Sequence, residues 1–378
     1  RGRNGAMRRD IVARLGLRVP IFQAPMLGCT TVELVAAVAR AGAMGFYPLA
    51  ATAPGDVAGA LSALAREVPG ARFGCNLFVL PPPPAPGSDE ARSLEDTSAA
   101  FLAPFRVAAG LPRPPSPGRY AHTFDEQVAA VLAAADPLQA VSFTFGCPSR
   151  EVLRAFKDRG VLTLGTATTV AEAVHLCDAG ADAIVAQGAE AGGHRGTFLA
   201  PFEESMVGTM ALVPAIADAC GDRACVVAAG GLGDGRGVAA ALALGASVAQ
   251  VGTSFLPCAE SGASPAHKEA VGAATGRDIH RVVVTRAFSG RPARGFGGRL
   301  ADAEAELECR GHSLGYPVHQ AMMADLKSQS EGAQDFKSMW CGQALGLARR
   351  GEGAEDVVRR LMAEARRAAG DMAAAVLQ

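Results

Sequence analysis

The chain has 378 residues, with 36 Lys and Arg against 37 Asp and Glu for a formal net charge of −1; 49% of its residues are hydrophobic and only 19% charged. That apolar fraction sustains one large core or two ordinary ones and excludes a chain dominated by disorder. The charge balance, with no basic face or tail, excludes nucleic acid and an anionic membrane as the main partner.

Val19–Ala24 is an apolar run that reads as a strand, closed by Pro25-Met26-Leu27-Gly28. Thr31–Ala41 follows with helical spacing, Thr31 as N-cap and Gly42 as the stop. Ala43–Leu49 gives a second strand and Ala51–Glu67 a second helix. Arg72–Val79 is a third strand with polar Asn76 near its carboxyl end, and this β-α-β-α-β rhythm predicts a parallel sheet. Pro81–Pro86 and Pro112–Pro117 then bracket an insertion, residues 81–118, around Leu94–Leu111; it reads as a lid or crossover decoration.

Phe124–Ala134 resumes as a helix, Ala140–Phe145 as strand four, Glu151–Arg159 as a helix and Val161–Leu164 as strand five. Thr169-Val170-Ala171-Glu172 predicts a capping box for a helix that ends at Gly180. Strand six begins Ala183-Ile184-Val185-Ala186 and breaks into Gln187, Gly188, Glu190, Gly192, Gly193, His194, Arg195 and Gly196. Met210–Ala219 is a helix, and Ala224–Ala229 is strand seven, followed by Gly230-Gly231-Leu232-Gly233-Asp234. The helix Gly235–Leu244 leads to strand eight, Ser247–Val251, and to Gly252-Thr253-Ser254. Eight such units predict an α/β fold, a (β/α)8 TIM barrel over residues 11–259.

Beyond Pro257 the pattern changes. His267–Ala274 is helical, His280–Thr285 is a β-branched run, Ser289–Gly298 reads as a loop and Ala301–Glu308 as a short acidic helix. Gly311–Pro317 is a turn, Met322–Leu326 and Phe336–Ala348 read as helical, and Glu355–Leu377 as a closing amphipathic helix. Residues 260–337 are expected to form a smaller, mostly helical second domain over the barrel mouth, with 338–378 returning to the barrel.

In such barrels the active site lies at the carboxyl ends of the strands, and phosphate commonly binds the loops after strands seven and eight. Here those loops are Gly230-Gly231-Leu232-Gly233 and Gln250-Val251-Gly252-Thr253. Each alone reads equally as a tight turn. Together they point to a phosphate site, the first at the start of a helix whose dipole favours an anion. The other strand ends present Ala24-Pro25-Met26, Asn76, Gln187 with Gly192 and Gly193, and His194. Asn and Gln both donate and accept hydrogen bonds, which suits the polar edge of an isoalloxazine ring; Met26 is either an apolar wall for that ring or core filling. One phosphate, one planar ring and one proton-handling histidine describe a flavin mononucleotide (FMN) site.

The nine cysteines are scattered and form no CxxC, and no Cys/His cluster has zinc spacing, so a reduced, cytoplasmic protein is expected. Gly315 and Pro317 interrupt His312 and His319, and no metal site is expected. Arg1, Arg3, Arg8 and Arg9 precede no apolar run, so no secretory leader is expected. No cysteine lies between Gln187 and Phe198, which excludes a thiol nucleophile in the loop after strand six.

Taken in order, several segments resemble the class I nitronate monooxygenases, formerly called 2-nitropropane dioxygenases. They are PIFQAPM at Pro20–Met26, GCNLFV at Gly74–Val79, SFTFGCPS at Ser142–Ser149 and AQGAEAGGHRG at Ala186–Gly196. VVAAGGLGDGRGVAAALALGA at Val226–Ala246, QVGTSFL at Gln250–Leu256, TRAFSGRPARG at Thr285–Gly295 and WCGQ at Trp340–Gln343 complete the set. The resemblance implies FMN-dependent oxidation of alkyl nitronates (such as propionate 3-nitronate) or nitroalkanes by O2 to a carbonyl compound and nitrite. FMN contacts would be Met26, Asn76, Gln187, Gly192, Gly230 and Gln250–Thr253, with His194 catalytic; a homodimer is expected. Gly295-Phe296-Gly297-Gly298 is richer in glycine than the family pattern, and Cys341 stands where that pattern has alanine. Tyr316 reads either as a substrate contact or as an interdomain one. Two alternatives stand beside this reading: an FMN-dependent NAD(P)H enoyl-carrier-protein or quinone reductase of the same superfamily, and a phosphate-binding barrel without redox chemistry.

Overall fold

The computed structural model describes residues 11–135, 137–309, 313–328 and 336–376. The apolar runs form strands because each is buried at nearly every position, as parallel strands covered on both faces must be. These are β1 (Ile21–Gln23), β2 (Met44–Pro48), β3 (Phe73–Phe78), β4 (Ala140–Thr144), β5 (Leu162–Ala167) and β6 (Ala183–Gln187). A two-residue strand, β7 (Gly193–His194), leaves the barrel, which then continues through β8 (Cys225–Ala229) and β9 (Val248–Val251). Neighbours pair in parallel in the order β1-β2-β3-β4-β5-β6-β8-β9, and β9 returns to β1 through Phe22↔Gln250 to close the barrel.

The alternation along each strand sorts the core. Phe22, Met44, Phe46, Leu162, Leu164, Val185, Val227 and Val248 share one cluster with Ile11 and Leu15. Their alternate neighbours, among them Ile21, Ile184, Val226, Ala249 and Val251, pack against helices in a second cluster. Period-two side-chain direction thus separates the filled barrel interior from the barrel–helix layer.

The helices between strands are α1 (Val32–Arg40), α2 (Pro54–Glu67), α3 (Asp89–Ala108), α4 (Phe124–Ala133), α5 (Arg150–Asp158), α6 (Val170–Ala179), α7 (Thr209–Cys220) and α8 (Gly235–Ala243). Thr31 Oγ1 caps α1 from Leu34 N at 3.0 Å, as its sequence predicts. The box predicted at Thr169 is only half formed. Thr169 Oγ1 accepts from Glu172 N, but the Glu172 carboxylate turns to Thr168, Thr197, Phe198 and Leu199. A complete box stands instead at Thr123 and Glu126.

Past the barrel lie α9 (Pro265–Gly272), β10 (Val282–Thr285), β11 (Ala293–Phe296), α10 (Arg299–Cys309), α11 (Val318–Met322), α12 (Ala324–Ser328) and α13 (Ala354–Val376). Two expectations fail here. Part of the predicted loop 289–298 is β11, the centre of an antiparallel sheet ordered β10-β11-β7. The predicted helix 336–348 is an extended strap ending in a 3-10 turn, Leu345–Leu347. Its backbone bonds run outward: Trp340 bridges Gly295, Gly342 N donates to Thr253 Oγ1 at 2.9 Å, and Gln343 N donates to Glu190 O at 2.9 Å. Such partners satisfy the backbone as well as a helix would. Among the described residues no helix is long and apolar enough to cross a membrane.

Candidate active site

A cavity of about 440 Å3 opens at the carboxyl ends of the barrel strands. Of the expected site residues, Ala24, Pro25, Met26, Asn76, Gln187, Gly192, Gly193, His194, Gly230, Gly231, Gln250, Gly252 and Thr253 all line it. Val251 does not. Its side chain points outward into the helix layer, and only its carbonyl serves the mouth, accepting from Ala24 N at 2.8 Å. Met26 lines the cavity and also packs against two apolar clusters.

The loops after β8 and β9 line the cavity with glycine-rich backbone. Gly230 and Gly231 take φ of +103° and +73°, which side-chain-bearing residues adopt only under strain. Among the described residues the N–H groups of Gly231, Leu232 and Thr253 make no hydrogen bond. The start of α8 does not join them, contrary to the sequence expectation. Asp234 Oδ1 already accepts from Arg236 N and Gly237 N, and Glu364 Oε2 from Gly235 N at 3.0 Å. Two carboxylates therefore complement the helix dipole there, and the N–H groups left without a partner among the described residues here are those of the glycine loops.

Two polar strand ends face the cavity differently. Asn76 Nδ2 donates to Ser142 Oγ (2.9 Å) and Thr144 Oγ1 (3.1 Å), and its Oδ1 has no protein partner among the described residues. Gln187 is committed on both sides: Nε2 donates to His194 O at 3.1 Å and Oε1 accepts from Gly196 N at 2.8 Å. Its amide clamps the loop that carries His194 rather than standing free for a ring edge.

That loop is held from below as well. The buried Arg195 guanidinium donates to the Gln187 and Ser205 carbonyls. Burial pushes the Glu172 carboxyl up, but hydrogen bonds from Thr168, Phe198 and Leu199 outweigh it and hold the group below its ordinary value. From above, β7 pairs with β11 through Ala293↔His194, which turns the histidine over the cavity.

His194 sits in an aromatic box. Its ring lies 5.8 Å from Phe145, 6.5 Å from Phe78, 5.7 Å from Trp340 and 6.3 Å from Tyr316, centroid to centroid. Nε2 is 2.9 Å from Ser289 Oγ. Burial, then the charges of Arg291 and Lys327, push the imidazole down to about 3, so it is neutral at physiological pH. The Arg291 guanidinium lies 3.9 Å over the Phe145 ring and donates to Thr197 O at 2.9 Å. Phe145 adopts φ +77°, a strained backbone for an aromatic residue, and that turn aims its ring into the box.

Sequence reasoning passed over several of these residues. Ser289 and Trp340 lie within segments that carry the family resemblance, which gave a signal without a role. Phe145 and Phe288 share that signal, while Lys327 lies outside those segments and gave none, because only the folded chain brings it to the cavity. Lys327 Nζ donates to Phe288 O at 2.8 Å, and burial pushes its ammonium down to about 8. Tyr316 packs on His194 from outside the lining. Cys341 is buried, and burial pushes its thiol up to about 12, so it is inert there. Of the histidine pair, His312 lies outside the described residues and His319 Nε2 donates to Ala287 O at 2.8 Å. Among the described residues no cluster of His, Cys, Asp or Glu has the makings of a metal site.

The nitronate monooxygenase family profile matches residues 10–364. The chain is 39% identical over 359 residues to a nitronate monooxygenase of Pseudomonas aeruginosa, covering 93% of this chain and 97% of that protein. The crystal structure of nitroalkane oxidase from Streptomyces ansochromogenes superposes with a TM-score of 0.84 at 33% identity, covering 96% of this chain and 99% of the other. FabK from Thermotoga maritima gives a TM-score of 0.72 at 26% identity, covering 96% and 98%. With a match over nearly its whole length, the chain belongs to the nitronate monooxygenase family.

Proposed function

We propose that this protein oxidises alkyl nitronates with O2 to a carbonyl compound and nitrite, using FMN held at the barrel mouth. The observation that carries the reading is His194: a neutral imidazole, bonded to Ser289 and boxed by aromatics, over a cavity floored by two glycine loops and Asn76. The glycine loops would hold the phosphate through the free N–H groups of Gly231, Leu232 and Thr253, and Asn76 Oδ1 and Met26 would face the ring. When bound, FMN supplies the redox chemistry between nitronate and O2.

The chain's own residues set which form of the substrate reacts. The Ser289 hydroxyl directs its proton to Arg291 O at 3.2 Å and so accepts from Nε2–H of His194. Nδ1 is left as the ring's lone-pair nitrogen. An imidazole pushed this far down is a weak base at neutral pH, which favours nitronates, already deprotonated, over neutral nitroalkanes. His194 then orients the nitro group, and the flanking charges of Arg291 and Lys327 favour an anion beside it. The scattered cysteines, with no CxxC among them, fit a reducing, cytoplasmic setting.

The test is an anaerobic visible spectrum of the FMN-loaded protein before and after adding propionate 3-nitronate and, separately, NADPH. Flavin reduction by the nitronate alone is the expected result. Rapid bleaching by NADPH would move the assignment to a reductase, and a protein that takes up no FMN would remove it altogether.

A further inference from the structure

The insertion at residues 81–118 packs against segments that line the cavity without lining it itself. Its helix α3 puts Phe101, Leu102 and Phe105 into one apolar cluster with Phe288, Val318, Met322 and Leu326. A Cβ on Gly315 would stand 2.6 Å from Leu94, so the insertion presses directly on the backbone leading into α11. Across this contact runs an ion pair buried at its arginine end and 41% exposed at its aspartate side chain. Arg106, with only 3% of its side chain exposed, grips Asp325 with both guanidinium arms, Nη1 to Oδ1 at 2.8 Å and Nη2 to Oδ2 at 2.6 Å. Asp325 is flanked on α12 by Ala324 and Lys327, which line the cavity, and Gln320 of α11 lines it too.

We propose that Arg106 and Asp325 are a positioning pair. They fix the α11–α12 roof, and so the placement of Gln320, Ala324 and Lys327, against the substrate rather than the cofactor. Bidentate guanidinium–carboxylate pairs fix angle as well as distance, which a single apolar contact does not. The hydrogen bonds from Arg106 hold the Asp325 carboxyl below its ordinary range, so the pair stays ionised at working pH. The insertion thereby sets substrate affinity from outside the site, while the FMN loops on β8 and β9 are independent of it.

The inference rests on the proposed nitronate chemistry for its kinetic readout, so the experiment carries a second readout that does not. FMN-loaded Arg106→Met and Asp325→Asn are compared with the parent for KM and kcat on propionate 3-nitronate, for FMN affinity, and for amide hydrogen exchange in residues 313–328. The expected result is a KM raised about tenfold, the pattern of lost uniform substrate binding, with kcat within about twofold, unchanged FMN affinity and faster exchange in that segment. Asp325→Asn keeps one acceptor and is the milder variant, so it serves if Arg106→Met does not fold. Parental KM together with parental exchange overturns the proposal, as does a lowered Tm with neither of them moved. A parent that oxidises no nitronate sinks the functional reading instead, and the exchange comparison still decides the roof.

Discussion

His194 and Ser289, 95 residues apart in the chain, meet at 2.9 Å between Nε2 and Oγ. The contact exists because β7 lies beside β11, which brings the turn before β11 over the barrel mouth. A barrel strand end and a segment beyond the barrel thus share one hydrogen bond.

Removing that bond tests its role. Ser289→Ala should keep FMN and lower kcat about tenfold, the worth of one well-placed hydrogen bond to a catalytic group. His194→Asn should keep FMN, lower nitronate turnover through the lost contact to the nitro group, and lower neutral-nitroalkane turnover further, because the weak base at Nδ1 is then gone as well. Steady-state kinetics on 1-nitropropane and its nitronate check both; equal activity of His194→Asn and parent on the neutral compound would end the assigned role.

Gly192 faces backbone on its open side. A Cβ there would stand 2.5 Å from the Cys341 carbonyl carbon and the Gly342 nitrogen, where no side chain is able to move aside. Gly192→Ala should therefore push the strap 340–342 off the cavity and lower both flavin content and thermal stability. The absorbance ratio of bound flavin to protein, with a melting curve, reads this directly.

Stability should fall in acid, and two kinds of group drive it the same way. His194 and His319 are pushed from 6.5 down to about 3 and about 4, so the unfolded chain binds their protons first as pH drops below 6.5. Glu172 is held below 4.5, so its contribution is present above that value and is lost as pH falls through it. Unfolding free energy should be flat in these terms above pH 6.5 and decline below it. His319→Gln should make the decline between pH 6.5 and 4 shallower. Glu172→Gln should cost about 2–4 kcal/mol at pH 7, because an amide donor replaces an acceptor facing backbone N–H groups. Denaturant titrations at several pH values check all three.

The start of α8 gives a negative control for the phosphate cradle. Asp234 accepts from two first-turn N–H groups, so Asp234→Ala should lower stability by about 1 kcal/mol through the lost cap. FMN affinity should stay parental, since the cradle lies in the glycine loops. Markedly altered affinity by fluorescence titration would place the phosphate at the helix start instead.

The sequence by itself determined the barrel. Short apolar runs alternating with helical spacing, each closed by glycine or a polar cap, specify strand and helix locally, because side-chain periodicity is a local property. It also brought out the glycine loops, Asn76, Gln187 and His194, since strand ends in this fold face one cavity. Tertiary structure decided the rest. It turned Val251 outward, a matter of register on the closed barrel, and filled the start of α8 with Glu364, 129 residues away. It made strands or straps of two segments read as loop and helix, because their backbone partners lie on β7, Glu190 and Thr253 rather than nearby in sequence. It joined the insertion to the roof through Arg106 and Asp325, 219 residues apart. Pairings at such separations depend on the path of the whole chain, and no local pattern of residue types records that path.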